Sequence, residues 1–181
     1  MKQYTEQENY MKLAIREAGK AAKNGDVPIG CIIVYDGLKP DSKADQNASA
    51  HGITPGTIIG RGYNRRNKDH NSLMHAEISA IKKACKAFDD WRLEDCTMYV
   101  TLEPCPMCAG AIVQARLPRV VMGSMNKKAG CCGSVLDMLH ESRFNHQCDV
   151  TYDVLHDQCA ALMTDFFRSL REQKLKSLEE N

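Results

Sequence analysis

Thr97-Met98-Tyr99-Val100-Thr101-Leu102-Glu103-Pro104-Cys105-Pro106-Met107-Cys108 decides how this chain folds. Residues 97–101 are apolar, aromatic or β-branched and predict a strand. Pro106 suits a first helical turn, where a missing N–H costs nothing, so a helix is expected over 104–116. A strand feeding directly into a helix is the unit of a layered α/β fold. Cys105 and Cys108 stand three apart, roughly 300° around a helix, and share a face. The helix dipole favours their thiolate form.

The neighbouring sequence repeats the alternation. Thr5 and Glu8 have capping-box spacing, and Met11, Ile15, Ala18 and Ala22 fall on one helical face before Asn24-Gly25 stops the helix. Further strands are expected at 31–35, 57–64, 119–122 and 149–154, and further helices at 74–88 and 155–178. On the last helix Leu155, Cys159, Leu162, Phe166 and Leu170 form the apolar side. Residues 39–56, rich in Asp, Ser, Asn, Ala and Gly, read as a long surface loop. The expected architecture is α/β: a three-layer α/β/α sandwich on a mixed sheet of about five strands. The first two strands form an antiparallel hairpin, and the crossovers through helices are parallel.

The 181 residues make one domain, 1–181, on length. With 43% hydrophobic and 26% charged residues the chain is neither disordered nor collagenous. No apolar run is long enough to span a membrane. The first ten residues, MKQYTEQENY, hold no apolar segment and do not read as a signal peptide. Lys plus Arg is 24 against 23 Asp plus Glu, so the net charge of +1 excludes a general basic coat for nucleic acid. Nine cysteines, an odd number at irregular spacing, exclude a secreted disulfide scaffold and suit a reducing cytoplasm.

His75-Ala76-Glu77 completes the chemistry. His75 and Glu77 lie about 200° apart in a regular helix, so they serve one site only at its N-terminal end. His75 with Cys105 and Cys108 supplies three zinc ligands. A structural zinc site has four protein ligands, whereas a catalytic one keeps a place for water, with Glu77 as proton carrier. A structural zinc half-site completed by Cys85, Cys96, Cys131 or Cys132, and a redox pair, are the competing readings. The redox pair leaves His75 and Glu77 without a purpose, and Cys85 and Cys96 read as buried small residues.

H-x-E followed by P-C-x-x-C resembles the signature of the zinc nucleobase deaminases. The chain is similar above all to the bacterial tRNA adenosine deaminases. The likeness runs through Asp26-Val27-Pro28-Ile29-Gly30, Gly62-Tyr63-Asn64, Trp91-Arg92-Leu93, residues 99–111, Arg143-Phe144-Asn145-His146 and Asp165-Phe166-Phe167-Arg168. The resemblance implies a cytidine-deaminase-like fold and a zinc ion on His75, Cys105 and Cys108, one per subunit. It implies Glu77 as proton shuttle in the hydrolysis of adenosine to inosine at the wobble position of a tRNA anticodon. It further implies that Asn64 bonds the purine, that Ala76 lies against the flipped base, and that Asn126, Lys128, Phe167 and Arg168 face the anticodon stem-loop. A cytoplasmic homodimer with no membrane association is implied as well. The alternative within the same chemistry is a deaminase of a free base such as guanine or cytosine. An alternative from another class is a non-catalytic zinc-bearing RNA-binding subunit.

Charge counts by region favour the polyanionic substrate. Residues 61–70 carry +3 (four basic, one acidic), 116–130 carry +4 with no acid, and 168–176 carry +3 (four basic, one acidic). Phe166 and Phe167 are about 100° apart on a helix, so one can be core while the other reaches substrate; burial of both rings is the competing reading. Two features depart from the family. The segment 39–56 is an addition of 18 residues (56 − 39 + 1). Asn126 stands where the family usually has Asp, which removes a negative charge near the sugar–phosphate chain and implies weaker discrimination between RNA and DNA. Cys131-Cys132 in the same loop read as passive small side chains.

Overall fold

The computed structural model describes residues 4–179. Residues 1–3 and 180–181 lie outside the described residues. They are the two ends of the expected 1–181 domain, the first three belonging to the N-terminal stretch read above. Helix α1 (Glu6–Lys23) leads to strand β1 (Gly30–Tyr35), helix α2 (Lys43–Ala50) and strand β2 (Ile58–Tyr63). Helix α3 (Ala76–Phe88), strand β3 (Cys96–Leu102), helix α4 (Pro106–Gln114), strand β4 (Arg119–Ser124), strand β5 (Asp149–Thr151) and helix α5 (His156–Glu179) follow. The strands form one mixed sheet in the order β2-β1-β3-β4-β5. β1 is antiparallel to both β2 and β3, while β3, β4 and β5 are parallel. The crossover through α3 therefore joins two parallel strands with β1 between them.

The two faces of the sheet follow from period-two alternation along β1. Ile32 and Val34 pack with Met11, Ala14, Tyr99, Val121 and Cys159 under α1 and α5. Cys31, Ile33 and Tyr35 pack with Met98, Val100, Ala80, Ala84, Phe88 and Ile112 under α3 and α4. Helices thus cover both faces, as expected of a three-layer sandwich. No helix among the described residues is long and apolar enough to cross a membrane.

Three expectations are corrected. Residues 39–56 are not an irregular loop throughout, because they contain α2. Ser42 caps that helix, Ala44 and Ala48 make its narrow buried stripe, and Tyr35 Oη donates to Asp45 Oδ1 at 3.0 Å. Lys43 Nζ pairs with Asp90 Oδ2 at 2.9 Å. An apolar face only two alanines wide is invisible in so polar a segment. In α1 the buried stripe is Met11, Ala14, Ala18 and Ala21, while Ala22 is exposed. β5 ends at Thr151, three residues early, because Asp153 and Leu155 take left-handed backbone angles (φ 60° and 54°).

Close approach of helix to sheet places the site. Gly60 and Gly62 of β2 face α3, and a Cβ on Gly62 would collide with the carbonyl oxygen of Ala76. At the opposite end of the sheet Arg119 Nη2 bonds Asp36 Oδ2 at 2.5 Å and reaches fully buried Asp95 at 3.5 Å. Gly62→Ala should overpack the β2–α3 contact and cost about 1–3 kcal/mol. Gly19→Ala in α1, where nothing stands within 4 Å, should instead stabilise by about 0.5–1 kcal/mol through helix propensity. Thermal unfolding of the two variants checks both signs.

Candidate active site

α3 and α4 begin at one point. His75 is the N-cap of α3 and Cys105 the N-cap of α4, and neither side chain caps its own helix. Both residues have extended backbone angles, so their side chains swing clear of the helix axis. That is how His75 and Glu77 reach one site despite helical spacing. His75 Nδ1 lies 3.6 Å from Cys105 Sγ and 3.5 Å from Cys108 Sγ, and the three donor atoms fall within 4.8 Å of one another.

A tetrahedral zinc ion, with Zn–N about 2.0–2.1 Å and Zn–S about 2.3 Å, separates nitrogen from sulfur by about 3.6 Å. The donor triangle fits that ion. The Cys108 thiol, with His75 beside it, holds Cys105 down at about 4. The bond to Cys105, burial and the charge of Glu77 push Cys108 far up. His75 is raised by its contact with Cys105. Burial raises Glu77. Two cysteine sulfurs and an imidazole nitrogen beside a buried carboxyl are the donor chemistry of a zinc site.

Three buried side-chain oxygens lack a hydrogen-bond partner among the described residues: Asn64 Oδ1, Glu77 Oε2 and Ser79 Oγ. Buried polar atoms are rarely left so, and two of these three belong to residues expected to meet water and substrate. Asn64 is held from its other end, its Nδ2 donating to the Val27 carbonyl at 3.2 Å.

His75 opens onto a cleft of about 660 Å³. Of the expected substrate residues, Asn64, Asn126, Lys128 and Phe167 line it. Ala76 is fully buried and is not among the lining residues. Arg168 does not reach the cleft either. It pairs with Asp165 at 2.5 Å on the exposed side of α5. Phe167 lines the cleft, while Phe166 lies in a separate groove against α1. The two basic segments that flank the zinc-type motifs divide likewise. Arg66, Lys127 and Lys128 line the cleft, whereas Arg65 pairs with Asp69 at 2.9 Å and Arg119 is committed to Asp36.

Glu103 is the residue that sequence reasoning passed over. It is 2% exposed and accepts from the backbone N–H of Asn126 (2.8 Å), Cys132 (3.0 Å) and Ser134 (2.9 Å), and from the Ser134 hydroxyl. Gly130 must lack a side chain because its Cβ would occupy the Glu103 carboxylate. One carboxylate thus hangs the whole 126–134 loop, which presents Asn126, Lys127 and Lys128 to the cleft. Asn126 Oδ1 turns to its own loop, 3.3 Å from the N–H of both Lys128 and Ala129. Cys131 and Cys132 are buried in the same loop, and all nine cysteines are unpaired. His156 and Arg66, also cleft residues, carried no signal beyond their charge type.

Known proteins match along nearly the whole chain. A family model described as MafB19-like deaminase covers residues 5–171. The tRNA-specific adenosine deaminase of Bacillus subtilis (strain 168) is 45% identical over 170 residues, 94% of each chain. A solved structure from work on A-to-I editing by tRNA:A34 deaminases at the wobble position of transfer RNA is similar with a TM-score of 0.72. It is 32% identical and covers 85% of this chain and 98% of that one. The guanine deaminase of Bacillus subtilis is also 32% identical, but with a TM-score of 0.53 over 67% of this chain and 66% of its own. The end-to-end match on both sequence and fold shows that the chain belongs to the family of tRNA-specific adenosine deaminases.

Proposed function

We propose that this protein hydrolyses adenosine to inosine at the wobble position of a tRNA anticodon. The observation that carries the reading is the metal-spaced triangle of His75, Cys105 and Cys108 beside buried Glu77, whose Oε2 lacks a hydrogen-bond partner, opening on a cleft rimmed by Arg66, Lys127 and Lys128. These three ligands would hold one zinc ion per subunit. Zinc bound there supplies a Lewis acid that brings the pKa of water toward neutrality.

Glu77 does the proton work. Its carboxylate accepts the proton of the attacking water, passes it to the ring nitrogen beside C6, and later delivers a proton to departing ammonia. Burial keeps that carboxyl from bulk water and raises its proton affinity, which suits a group that must both take and give. Asn64 offers its free amide edge to the purine, as a flipped base requires. Ala76 forms packed backbone beside the ligand His75. Lys127 and Lys128 meet phosphates, and Phe167 offers an aromatic face for stacking. Arg168, paired with Asp165, is at most an outer electrostatic contributor.

The same reading takes residues 1–181 as one deaminase domain and the active species as a cytoplasmic homodimer. A free-base deaminase shares the chemistry, and the guanine deaminase likeness keeps it as the second reading. Three cationic side chains on the cleft rim favour a polyanion over a neutral base. A buried carboxylate oxygen left without a hydrogen-bond partner beside the donor triangle argues against a subunit that only binds.

The deciding assay compares an anticodon stem-loop bearing wobble adenosine with free adenine, guanine and cytosine. Inosine in the stem-loop alone is expected, and turnover of a free base with an untouched stem-loop would replace the substrate. Glu77→Ala should lower kcat by about 10²–10⁴-fold while metal analysis still finds zinc. Cys105→Ser and His75→Ala should lose the metal itself. Replacing Lys127 and Lys128 by Ala should flatten the dependence of log affinity on log salt by about 0.7 per lost phosphate contact. Asn126→Asp should raise the RNA-to-DNA ratio of kcat/KM on matched hairpins; an unchanged ratio removes Asn126 from substrate selection.

A further inference from the structure

Asp26 opens the Asp26-Val27-Pro28-Ile29-Gly30 motif and has no part in the mechanism above. It is fully buried and makes no ion pair among the described residues. A buried carboxylate is unfavourable unless hydrogen-bond donors compensate it. Here the donors are two backbone N–H groups from a distant segment. The Asn67 N–H donates to Asp26 Oδ1 at 2.7 Å, and the Lys68 N–H donates to Oδ2 at 3.1 Å.

Those two N–H groups begin the turn at residues 66–70. The Asp69 N–H donates to the Arg65 carbonyl at 2.8 Å, which is the spacing of one helical turn. The first N–H groups of such a turn find no acceptor within it, and a side-chain oxygen at the capping position normally takes them. Arg65 occupies that position, and a guanidinium cannot accept. Asp26 does the capping from across the fold.

The turn carries Arg66 to the cleft. Arg65 pairs with Asp69 at 2.9 Å, whereas Arg66 is exposed, lines the cleft and pairs with no carboxylate among the described residues. Asn64 is placed by other means. Its backbone N–H donates to the Ile29 carbonyl at 3.0 Å and its Nδ2 to the Val27 carbonyl at 3.2 Å. One motif thus sets two cleft residues separately: the carbonyls of Val27 and Ile29 hold Asn64, and the Asp26 carboxylate holds the turn of Arg66.

We propose that Asp26 is a positioning residue for RNA, which fixes the turn that aims Arg66 at a phosphate of the substrate strand. This rests on the tRNA reading given above. Asn64, Glu77 and the metal-spaced triangle make no bond to that carboxylate, so its loss is felt in RNA capture and not in chemistry.

The test uses full-length zinc-loaded protein and an anticodon stem-loop bearing wobble adenosine. Asp26→Asn keeps the side-chain shape but turns one acceptor into a donor that faces an N–H. It should raise KM by about three- to tenfold, the value of one hydrogen bond, with kcat and zinc content unchanged. It should also flatten the dependence of log KM on log salt by up to about 0.7, one phosphate contact. Arg66→Ala should move KM and the salt slope in the same direction, and adding Asp26→Asn to it should raise KM no further. Amide hydrogen exchange in wild type is an independent check. Asn67 and Lys68 are exposed residues, so slow exchange of their amides reports the bonds to Asp26. Fast exchange at both overturns the role of Asp26, whether or not Asp26→Asn is stable enough to assay. An equal rise in KM with and without Arg66, an unchanged KM in either single variant, or a fall in kcat alone overturns it as well. Absence of inosine from wild type overturns the tRNA reading itself, and the proposal with it.

Discussion

Two helix N-termini converge on one point, and the rest of the structure serves to hold them there. Each brings a partial positive charge and unsatisfied N–H groups, so their meeting is unfavourable unless anions sit between them. The chain supplies Cys105, Cys108 and Glu77, all within the first turns of α3 and α4. Crowded together in a buried place these groups compete for charge, and the bond to Cys105, burial and the charge of Glu77 push the Cys108 thiol up. Helix dipoles, thiols and carboxyl are thus one electrostatic unit. The glycines of β2 let α3 come close enough to join it.

Around that centre the charges are sorted by depth. Acidic groups lie inside: Glu77 and Glu103 are both almost fully buried. Basic groups stand on the rim, where Arg66, Lys127 and Lys128 are exposed to solvent. Glu103 links the two levels. A single inward carboxylate satisfied by backbone N–H groups organises a loop whose outward side is cationic. The arrangement needs no buried ion pair, which would carry a desolvation cost of its own.

The sheet, its antiparallel start and parallel finish, and the zinc-type triangle were legible because they rest on local signals. Strand content, a proline in a first helical turn and ligand spacing are all read from a few neighbouring residues. What was hidden depends on distant partners. The stripe of Ala44 and Ala48 has meaning only against α3. Ala22 and Ala21 cannot be ranked without knowing how α1 lies on the sheet. Glu103 looks like any acid at a strand end until residues 126–134 are seen wrapped around it. Arg168 and Lys128 carry the same charge, yet one finds Asp165 and the other finds the cleft.

The excursion between β1 and β2 closes on itself. The Tyr35 N–H donates to the Thr57 carbonyl at 2.9 Å, and the Gly56 N–H donates to the Tyr35 carbonyl at 2.8 Å. Everything from Asp36 to Gly56, α2 included, therefore leaves and rejoins the sheet at one place. None of it borders the cleft. Segments of that kind accept insertions readily, since the chain ends they present are already adjacent. The tip of this excursion is accordingly a natural graft point, where a fluorescent domain or affinity handle could be spliced into the chain without displacing a catalytic atom.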